Sequence, residues 1–309
     1  MNRRAVLTAS ISVVVLYLSF SIVGGILVAE GALHPARRPL TSSDENQERA
    51  QAKDDDATLT DVSIPARDHI ELRAWELRPE DANGDAVILL HGLSDNRLGM
   101  TGYADILVLH GYTVLMPDSR AHGASGGSIA TYGLLEAQDI RSWFDYLLSS
   151  DHPRCIYAFG ESMGAGQILQ ALKTEPGFCA VAAECPFSTF REVAYDRMGQ
   201  AFHTGPWLGR TILRPLVENA FLYTQWRYGL DMQQVSPEDS VATTQVPVFL
   251  IHGQNDTNIP IRHSRRIAAR NQNVVLWEVP NTGHSNAIDT SPKELETRLT
   301  EWFMNHPPR

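Results

Sequence analysis

Dense basic runs are absent from this sequence, and its charge balance is acidic. Lysine and arginine number 26 against 36 aspartate and glutamate residues, a formal net charge of −10 over 309 residues. A nucleic-acid partner is therefore not expected, because nucleic-acid surfaces carry clustered positive charge. The sequence also lacks an internal repeat, a metal-ligand cluster and a phosphate-binding glycine loop. We accordingly predict neither a metal nor a cofactor.

Cysteine is scarce as well, with three residues, Cys155, Cys179 and Cys185. An odd count excludes a fully paired disulfide framework within one chain. Cys155 and Cys179 each open an apolar, strand-like run, so neighbouring parallel strands would bring both to one edge of a sheet. Two interpretations remain equally open, a disulfide that suits an oxidising compartment or a pair of buried thiols.

A long run without a charged side chain is present at the amino terminus, from Ala5 to Ala29. About 25 residues at 1.5 Å per residue are long enough to span a bilayer. Arg3 and Arg4 favour a cytoplasmic amino terminus and hence an extracytoplasmic main domain. We predict an uncleaved signal anchor over residues 1–30, with a cleaved signal peptide as the alternative. The polar residues 31–58 are predicted to form a flexible linker to a folded domain over 59–309.

A Gly-x-Ser-x-Gly motif lies at Gly160–Gly164, between the apolar run 155–159 and a helix-like stretch. This strand, tight turn and helix are the context of a nucleophile elbow, which presents a serine hydroxyl above a sheet. The first amides of the following helix favour negative charge there. Alone the pattern is weak, because an ordinary glycine-serine turn also produces it. Ser162 is the predicted nucleophile.

Two further residues follow in comparable positions, as a serine hydroxyl needs a base to take its proton. Asp256 lies in the loop after the apolar run 246–251, and His284 lies in the loop after the run 274–279. Either residue alone would be an ordinary loop residue. Their order after Ser162 is nucleophile, acid, base, so we predict a catalytic triad.

These motifs together resemble the α/β-hydrolase superfamily, and within it the serine aminopeptidase-like and monoacylglycerol-lipase-like branch. The segments that carry the resemblance, over about residues 60–305, are His91-Gly92, Asp118–Gly123, Gly160–Gly164, His252–Asp256 and Gly283-His284. The resemblance implies an oxyanion hole formed by two backbone amides, those of Leu93 and Met163. It is weak for the substrate, since the fold serves many acyl-transfer reactions.

Strand-like and helix-like runs alternate from residue 59 onward, which predicts a mostly parallel, doubly wound α/β sheet covered by helices on both faces. The rhythm breaks after the sixth strand, where residues 187–240 contain many aromatic side chains and no strand. We interpret this segment as an inserted helical lid. Trp207 and Trp226 are its candidate substrate-binding residues, although packing of the lid on the core would explain them equally.

The sequence therefore predicts a membrane-anchored serine hydrolase that cleaves an ester or related acyl bond of a small molecule. An aminopeptidase or amidase is the alternative, which needs carboxylates that bind a free amine. Glu192, Asp196 and Glu218 are available in the lid. A non-catalytic binding domain is a remote alternative, since such domains typically lack one of the triad residues.

Overall fold

The computed structural model describes residues 3–174 and 177–308, and the chain divides into two compact units. The first, called the helical unit, joins the N-terminal segment through His34 to the insertion Thr189–Gln234. The second, called the sheet unit, contains Pro35–Ser188 and the chain from Val235 onward. The insertion follows the sixth strand, as predicted.

An eight-stranded sheet forms the centre of the sheet unit, in the order β1-β2-β4-β3-β5-β6-β7-β8. β1 and β2 form an antiparallel hairpin, β2 pairs antiparallel with β4, and the remaining neighbours are parallel. The strands are β1 Ala57–Pro65, β2 Glu71–Pro79, β3 Ala86–Leu90, β4 Thr113–Pro117, β5 Ile156–Glu161, β6 Val181–Glu184, β7 Val248–Gly253 and β8 Val274–Val279. The mostly parallel α/β sheet predicted from the sequence is confirmed.

Helices cover both faces of this sheet. The helices of the chain are α1 Arg3–Leu33, α2 Ser42–Asp54, α3 Thr101–Leu109, α4 Glu136–Ser150, α5 Met163–Ala171, α6 Phe190–Ala201, α7 Trp207–Arg210, α8 Arg214–Tyr228, α9 Pro237–Thr243, α10 Arg262–Ala268, α11 Ala287–Thr290 and α12 Pro292–Met304. Short 3₁₀ turns lie at Arg97–Met100 and Met232–Gln234. Apolar residues of α3 and α12 pack on one face, and those of α4 and α5 pack on the other.

The central strands are apolar on both faces because both faces are covered. Every residue of β3, Ala86–Leu90, is buried, and so is every residue of β7. Such continuous apolar runs are typical of parallel strands between two helical layers. The carboxyl ends of β3, β5, β6, β7 and β8 meet at one edge of the sheet, where ligands of open α/β sheets bind.

Residues 31–58 differ from the flexible linker that the sequence predicts. α1 continues to Leu33, and Ser42–Asp54 forms α2. The physical reason is a capping box, in which the Thr41 hydroxyl accepts from the N–H of Asp44 while the Asp44 carboxylate accepts from the N–H of Thr41. Satisfying two otherwise unpaired donors is worth about 1 kcal/mol, which offsets part of the entropy cost of ordering this polar segment.

The helical unit is built from α1, α6, α7 and α8. Residues Val6–Leu33 of α1 are long and apolar enough to cross a membrane, so the predicted N-terminal apolar helix is present, whereas its insertion in a membrane stays a prediction. α8 begins with a proline in its first turn and ends at Gly229, which adopts φ of 70°. That left-handed conformation suits glycine at a helix end.

One disulfide, Cys155–Cys179, joins the starts of β5 and β6, which resolves the alternatives left open by the sequence. β5 and β6 are parallel neighbours, so the residues that precede them lie at the same edge. That edge is opposite the carboxyl ends of the strands. Cys185 is a free, buried thiol.

Candidate functional site

Ser162 lies in the turn between β5 and α5, with a strained backbone conformation of φ 51°. A positive φ is costly for a residue with a side chain, and such strain is characteristic of functional turns. A Cβ atom on Gly160 would lie 2.6 Å from the carbonyl carbon of Gly164, so only glycine permits this turn. The N–H of Ser162 donates to the carbonyl of Glu184 at 2.8 Å, which attaches the turn to β6.

His284 connects Ser162 to Asp256. Its Nε2 atom lies 2.8 Å from Ser162 Oγ, and its Nδ1 atom lies 2.7 Å from Asp256 Oδ2. Asp256 follows β7 and His284 follows β8, and these strands are parallel neighbours. The sheet thus brings together residues that are distant along the chain. His284 is 28 positions from Asp256 and 122 positions from Ser162.

The surroundings of Asp256 keep it ionised. Burial alone would raise the pKa of this carboxyl group, but hydrogen bonds from His252 and His284 hold the pKa well below its usual range. Oδ1 accepts from the N–H groups of Asn258 and Ile259 at 2.8 and 2.9 Å. A fixed carboxylate in this position orients the imidazole and stabilises its charged form.

His252 is a second histidine at this carboxylate, and the sequence analysis gave it no role. Its Nε2 donates to the carbonyl of Ile259 at 2.8 Å and lies 3.3 Å from Asp256 Oδ2. Its Nδ1 lies 2.7 Å from the hydroxyl of Ser264. The available signal was the spacing of the two residues, which places His252 near the end of β7 and Asp256 in the loop that follows it.

Two backbone amides are predicted to bind an oxyanion. That of Met163 follows Ser162 directly, and that of Leu93 follows Gly92, on which a Cβ atom would lie 3.7 Å from Ser162 Cβ. Met163 is the first residue of α5, so its N–H has no acceptor within the helix. Leu93 lies in the loop after β3, where the Nδ1 atom of His91 donates to the carbonyl of Gly92 at 2.7 Å. Since the peptide is planar and trans, fixing that carbonyl fixes the opposite direction of the Leu93 N–H.

His91 has the protonation state that this contact requires. Its Nε2 accepts from the N–H of Ser119 at 3.1 Å, which leaves the proton on Nδ1. Burial lowers the pKa of His91 to about 4, so the ring is neutral at neutral pH.

The loop after β3 also makes an ion pair with a residue before β1, since Arg38 pairs with Asp95 at 2.7 Å. Sequence reasoning missed Arg38, because nothing local links it to a loop 57 residues later.

Two carboxyl groups lie on the strands next to Ser162, the half-buried Glu161 and the fully buried Glu184. They are register partners in β5 and β6. Burial, with Glu184 and Asp95 as further causes, raises the pKa of Glu161 to about 8, and a hydrogen bond from the N–H of Gly92 partly opposes the rise. Glu184 accepts from the hydroxyl of Tyr103 at 2.7 Å and from the N–H of Ala287 at 3.0 Å. It therefore supports the loop that carries the histidine.

Potential metal ligands also meet here, since Cys185, His252 and Asp256 offer ligand atoms within 4.8 Å of one another. The protein already engages each of them. Cys185 Sγ accepts from the N–H of Ser285, and burial raises the pKa of its thiol well above the usual value. A thiol that resists deprotonation is a poor metal ligand, so this group fits internal hydrogen bonding better than a metal.

The two tryptophans predicted to bind substrate lie in the helical unit, on exposed surfaces. Trp207 is 55% exposed and Trp226 is 81% exposed. Side chains that line an acyl pocket are usually largely enclosed. Their assignment to substrate binding stays a prediction.

The architecture and the site together define a class, that of α/β enzymes whose chemistry lies at the carboxyl ends of the strands. A model of the alpha/beta hydrolase family matches residues 87–298. The chain belongs to the alpha/beta hydrolase family.

Relatives and solved structures agree with this membership. The protein YqkD of Bacillus subtilis is 25% identical over 249 residues, which cover 79% of this chain and 78% of YqkD. Rv2307c of Mycobacterium tuberculosis is 27% identical over 77% of this chain and 75% of its own length. The esterase Pf2001 of Pyrococcus furiosus superposes with a TM-score of 0.69 at 25% identity, over 89% of this chain and 98% of the esterase.

A peptidase shares the fold as well. The acylaminoacyl peptidase of Pyrococcus horikoshii superposes with a TM-score of 0.61 at 18% identity, over 82% of this chain and 42% of the peptidase. At this identity the peptidase supports the fold alone, whereas the family match and the esterase support an enzyme of the hydrolase class.

Proposed function

We propose that this protein is a membrane-anchored serine hydrolase that cleaves a carboxylic ester or a related acyl bond of a small molecule. The observation that carries the proposal is the continuous hydrogen-bonded chain from Ser162 through His284 to Asp256, with distances of 2.8 and 2.7 Å. Hydrogen-bond contact of nucleophile with base, and of base with an orienting acid, is the geometry of nucleophilic catalysis.

In the proposed mechanism, His284 takes the proton of Ser162 as Oγ attacks the carbonyl carbon of the substrate. Asp256 stabilises the imidazolium that forms, and the N–H groups of Leu93 and Met163 bind the oxyanion. A preorganised donor of this kind is worth about 3–4 kcal/mol of transition-state stabilisation. His284 then protonates the leaving group and activates water, which releases the acid from the acyl-enzyme.

Two of the three carboxylates named for amine binding, Glu192 and Glu218, favour an ester over a substrate with a free amine. Glu192 pairs with Arg210, and Glu218 lies 3.2 Å from Arg191 and 3.6 Å from Arg214. A carboxylate neutralised by arginine attracts an ammonium group weakly. The aminopeptidase alternative loses part of its basis accordingly.

Two observations support an extracytoplasmic location of the catalytic domain. Arg3 and Arg4 precede the apolar part of α1, which favours retention of that end in the cytoplasm. The Cys155–Cys179 disulfide is of a kind that persists outside the reducing cytosol. Helix α1 continues four residues beyond Ala29 and packs on α8 of the insertion, which favours an uncleaved anchor over a removed signal peptide.

Replacement of Ser162 tests the proposal. Ser162→Ala should reduce hydrolysis of p-nitrophenyl esters by about 10⁴-fold or more, as removal of a triad nucleophile does, and should abolish labelling by a fluorophosphonate probe. Ser149→Ala, at an exposed serine of α4, is the matched control and should retain both. Labelling that persists in Ser162→Ala would identify a different nucleophile. A panel of aminoacyl anilides, assayed beside the esters, separates the peptidase alternative.

A further inference from the structure

One face of α1 is covered, but only in its carboxyl-terminal part. Before Ser21 the described side chains of the helix are exposed. From Ser21 onward, buried residues recur at a spacing of four, at Ser21, Gly25, Ala29 and Leu33. A spacing of four places them on one side of a helix. The helix therefore has an exposed apolar part followed by a part with one packed face.

Helix α8 of the insertion packs against that face. A Cβ atom on Gly24 would lie 2.7 Å from Leu216 Cδ1, and one on Gly25 would lie 2.8 Å from the carbonyl of Leu216. Asn219 Nδ2 donates to Ser21 Oγ at 3.2 Å. Small residues that allow close approach, together with a polar interhelical bond, are typical of helix pairs in membranes.

The contacts also fix the direction of α8. The Tyr17 hydroxyl donates to the carbonyl of Ile212, near the start of α8. The Glu30 carboxylate accepts from the hydroxyls of Tyr223 and Tyr228 at 2.6 and 2.7 Å, near its end. Residue numbers rise together in both helices, so α8 runs parallel to α1, with its amino terminus nearer to the exposed part.

The length of α1 gives the depth of these contacts in a bilayer. With Arg4 at one boundary, Tyr17 lies about 20 Å and Glu30 about 39 Å along the helix axis. The hydrocarbon core is about 30 Å thick. The Tyr17 contact is therefore about 10 Å inside the far boundary, whereas the Glu30 contact is about 9 Å beyond it.

The residues around the Tyr17 contact have the surface that such a depth requires. Ile212 is 54% exposed, and Trp207 in the short helix α7 is 55% exposed. The Thr211 hydroxyl donates to the carbonyl of Trp207 at 2.6 Å. This bond holds Trp207 and the segment next to Ile212 in one compact turn. Interfacial segments bury apolar side chains about 5–10 Å deep, and tryptophan is enriched at this level.

We propose that residues 207–213 form a second membrane contact, which inserts into the leaflet at the carboxyl-terminal end of the α1 span. Trp207 and Ile212 contact the acyl chains of that leaflet. Trp226, whose ring lies 6.2 Å from that of Tyr223, stays outside the hydrocarbon at the level of the Glu30 contact. The inference rests on the proposed membrane anchoring by α1 and adds a lipid-binding surface that the proposed catalysis does not require.

Depth-dependent fluorescence quenching tests the contact in the full-length protein. The protein, Trp207→Phe and Trp226→Phe are reconstituted in phosphatidylcholine vesicles whose acyl chains carry bromine. Bromine should quench emission of the wild type and of Trp226→Phe, and the quenching should fall by more than about half in Trp207→Phe. Equal quenching of the wild type and Trp207→Phe would overturn the proposal.

Two further measurements separate this contact from the anchoring on which it depends. Extraction of the vesicles with alkaline carbonate should leave the protein in the membrane, and its release would contradict anchoring itself. The double variant Ser21→Cys/Asn219→Cys should form a disulfide on mild oxidation in the membrane. If the protein stays in the membrane but the cross-link does not form, only the second membrane contact is contradicted. The same holds if the protein stays in the membrane but Trp207→Phe shows no loss of quenching.

Discussion

Glu161 precedes the nucleophile, and its side chain reaches the loop that supplies the Leu93 amide. A Cβ atom on Gly92 would lie 3.1 Å from Glu161 Oε1, and the Gly92 N–H donates to the same carboxyl group. Burial raises the pKa of Glu161 to about 8, so the group is mainly neutral at pH 7. Ionisation would place negative charge beside the proposed oxyanion hole.

We therefore expect kcat for ester hydrolysis to fall as the pH rises through about 8. Like charges about 4 Å apart cost about 4 kcal/mol at an effective dielectric constant near 20. A fall of at least about tenfold is therefore expected, since that needs only about 1.4 kcal/mol. Glu161→Gln keeps an acceptor for the Gly92 N–H but cannot ionise, so its activity should stay flat over this range. The measurement is kcat between pH 6 and about 10 for both proteins.

The raised pKa of Glu161 also makes stability depend on pH, in the opposite direction to the lowered pKa of an ion-paired carboxylate. The pKa of Glu161 is raised from its usual 4.5 to about 8 in the folded state. The free energy of unfolding therefore falls as the pH rises from 4.5 to about 8. Thermal unfolding at pH 9 must therefore show that the enzyme is still folded. Glu294→Gln, at an exposed carboxylate of α12, should retain the alkaline fall of the wild type, and a flat wild-type profile would contradict the assignment.

The residues of the site differ in how far the sequence could indicate them. Ser162, Asp256 and His284 each follow a strand in a recognisable local motif, so their convergence follows from a parallel sheet. Glu184 and Arg38 carry no such local signal. Their roles depend on strand register and on a loop contact with Asp95, which only the folded chain defines.

At the scale of elements, the disulfide joins β5 and β6 at the edge opposite the triad. Closing a loop with a sequence separation of 24 lowers the entropy of the unfolded chain and stabilises the fold by about 3 kcal/mol. Cys155→Ser/Cys179→Ser should therefore lower the melting temperature by about 5–10 °C, measured by calorimetry. Activity at 25 °C should be retained, because the triad lies at the carboxyl ends of the strands.

Reductant provides the matched control for this prediction. Dithiothreitol should lower the melting temperature of the wild type toward that of the double variant and leave the double variant unchanged. An equal effect on both proteins would show that the stabilising bond lies elsewhere, and no effect on either would show that the two cysteines are not paired.

The strands were predictable as elements because apolar runs of five or six residues are bounded by loops that carry polar motifs. The hairpin, the helix-strand alternation and α12 follow from the same patterns. α2 was not predicted, since its polar sequence suggests a solvated linker and its stability begins at the Thr41 cap. The pairing of α8 with α1 joins segments about 200 residues apart, so no local pattern could reveal it.

At the scale of the whole molecule, we propose that α1 anchors the sheet unit to a membrane, and the orientation of α1 would then determine the compartment. Arg3 and Arg4 flank the apolar run on the amino side, and an excess of positive charge is retained in the cytoplasm. The disulfide is consistent with the opposite side, because cytosolic thiols are kept reduced. Both arguments predict one topology from independent chemistry.

A reporter fused after Arg309 should therefore behave as an exported protein. In a bacterial host, alkaline phosphatase in this position should be active, because it needs oxidation outside the cytoplasm, and a green fluorescent protein exported in the same way should stay dark. Removal of residues 1–34 should reverse both results and leave ester hydrolysis intact, since the triad and the oxyanion amides lie in the sheet unit. If the anchor is uncleaved, as we propose, mass spectrometry of the mature protein should detect the α1 peptide. A fluorescent green fluorescent protein fusion together with an inactive phosphatase fusion would place the carboxyl terminus in the cytoplasm and contradict the charge argument. An exported protein that lacks α1 would instead identify a cleaved signal peptide.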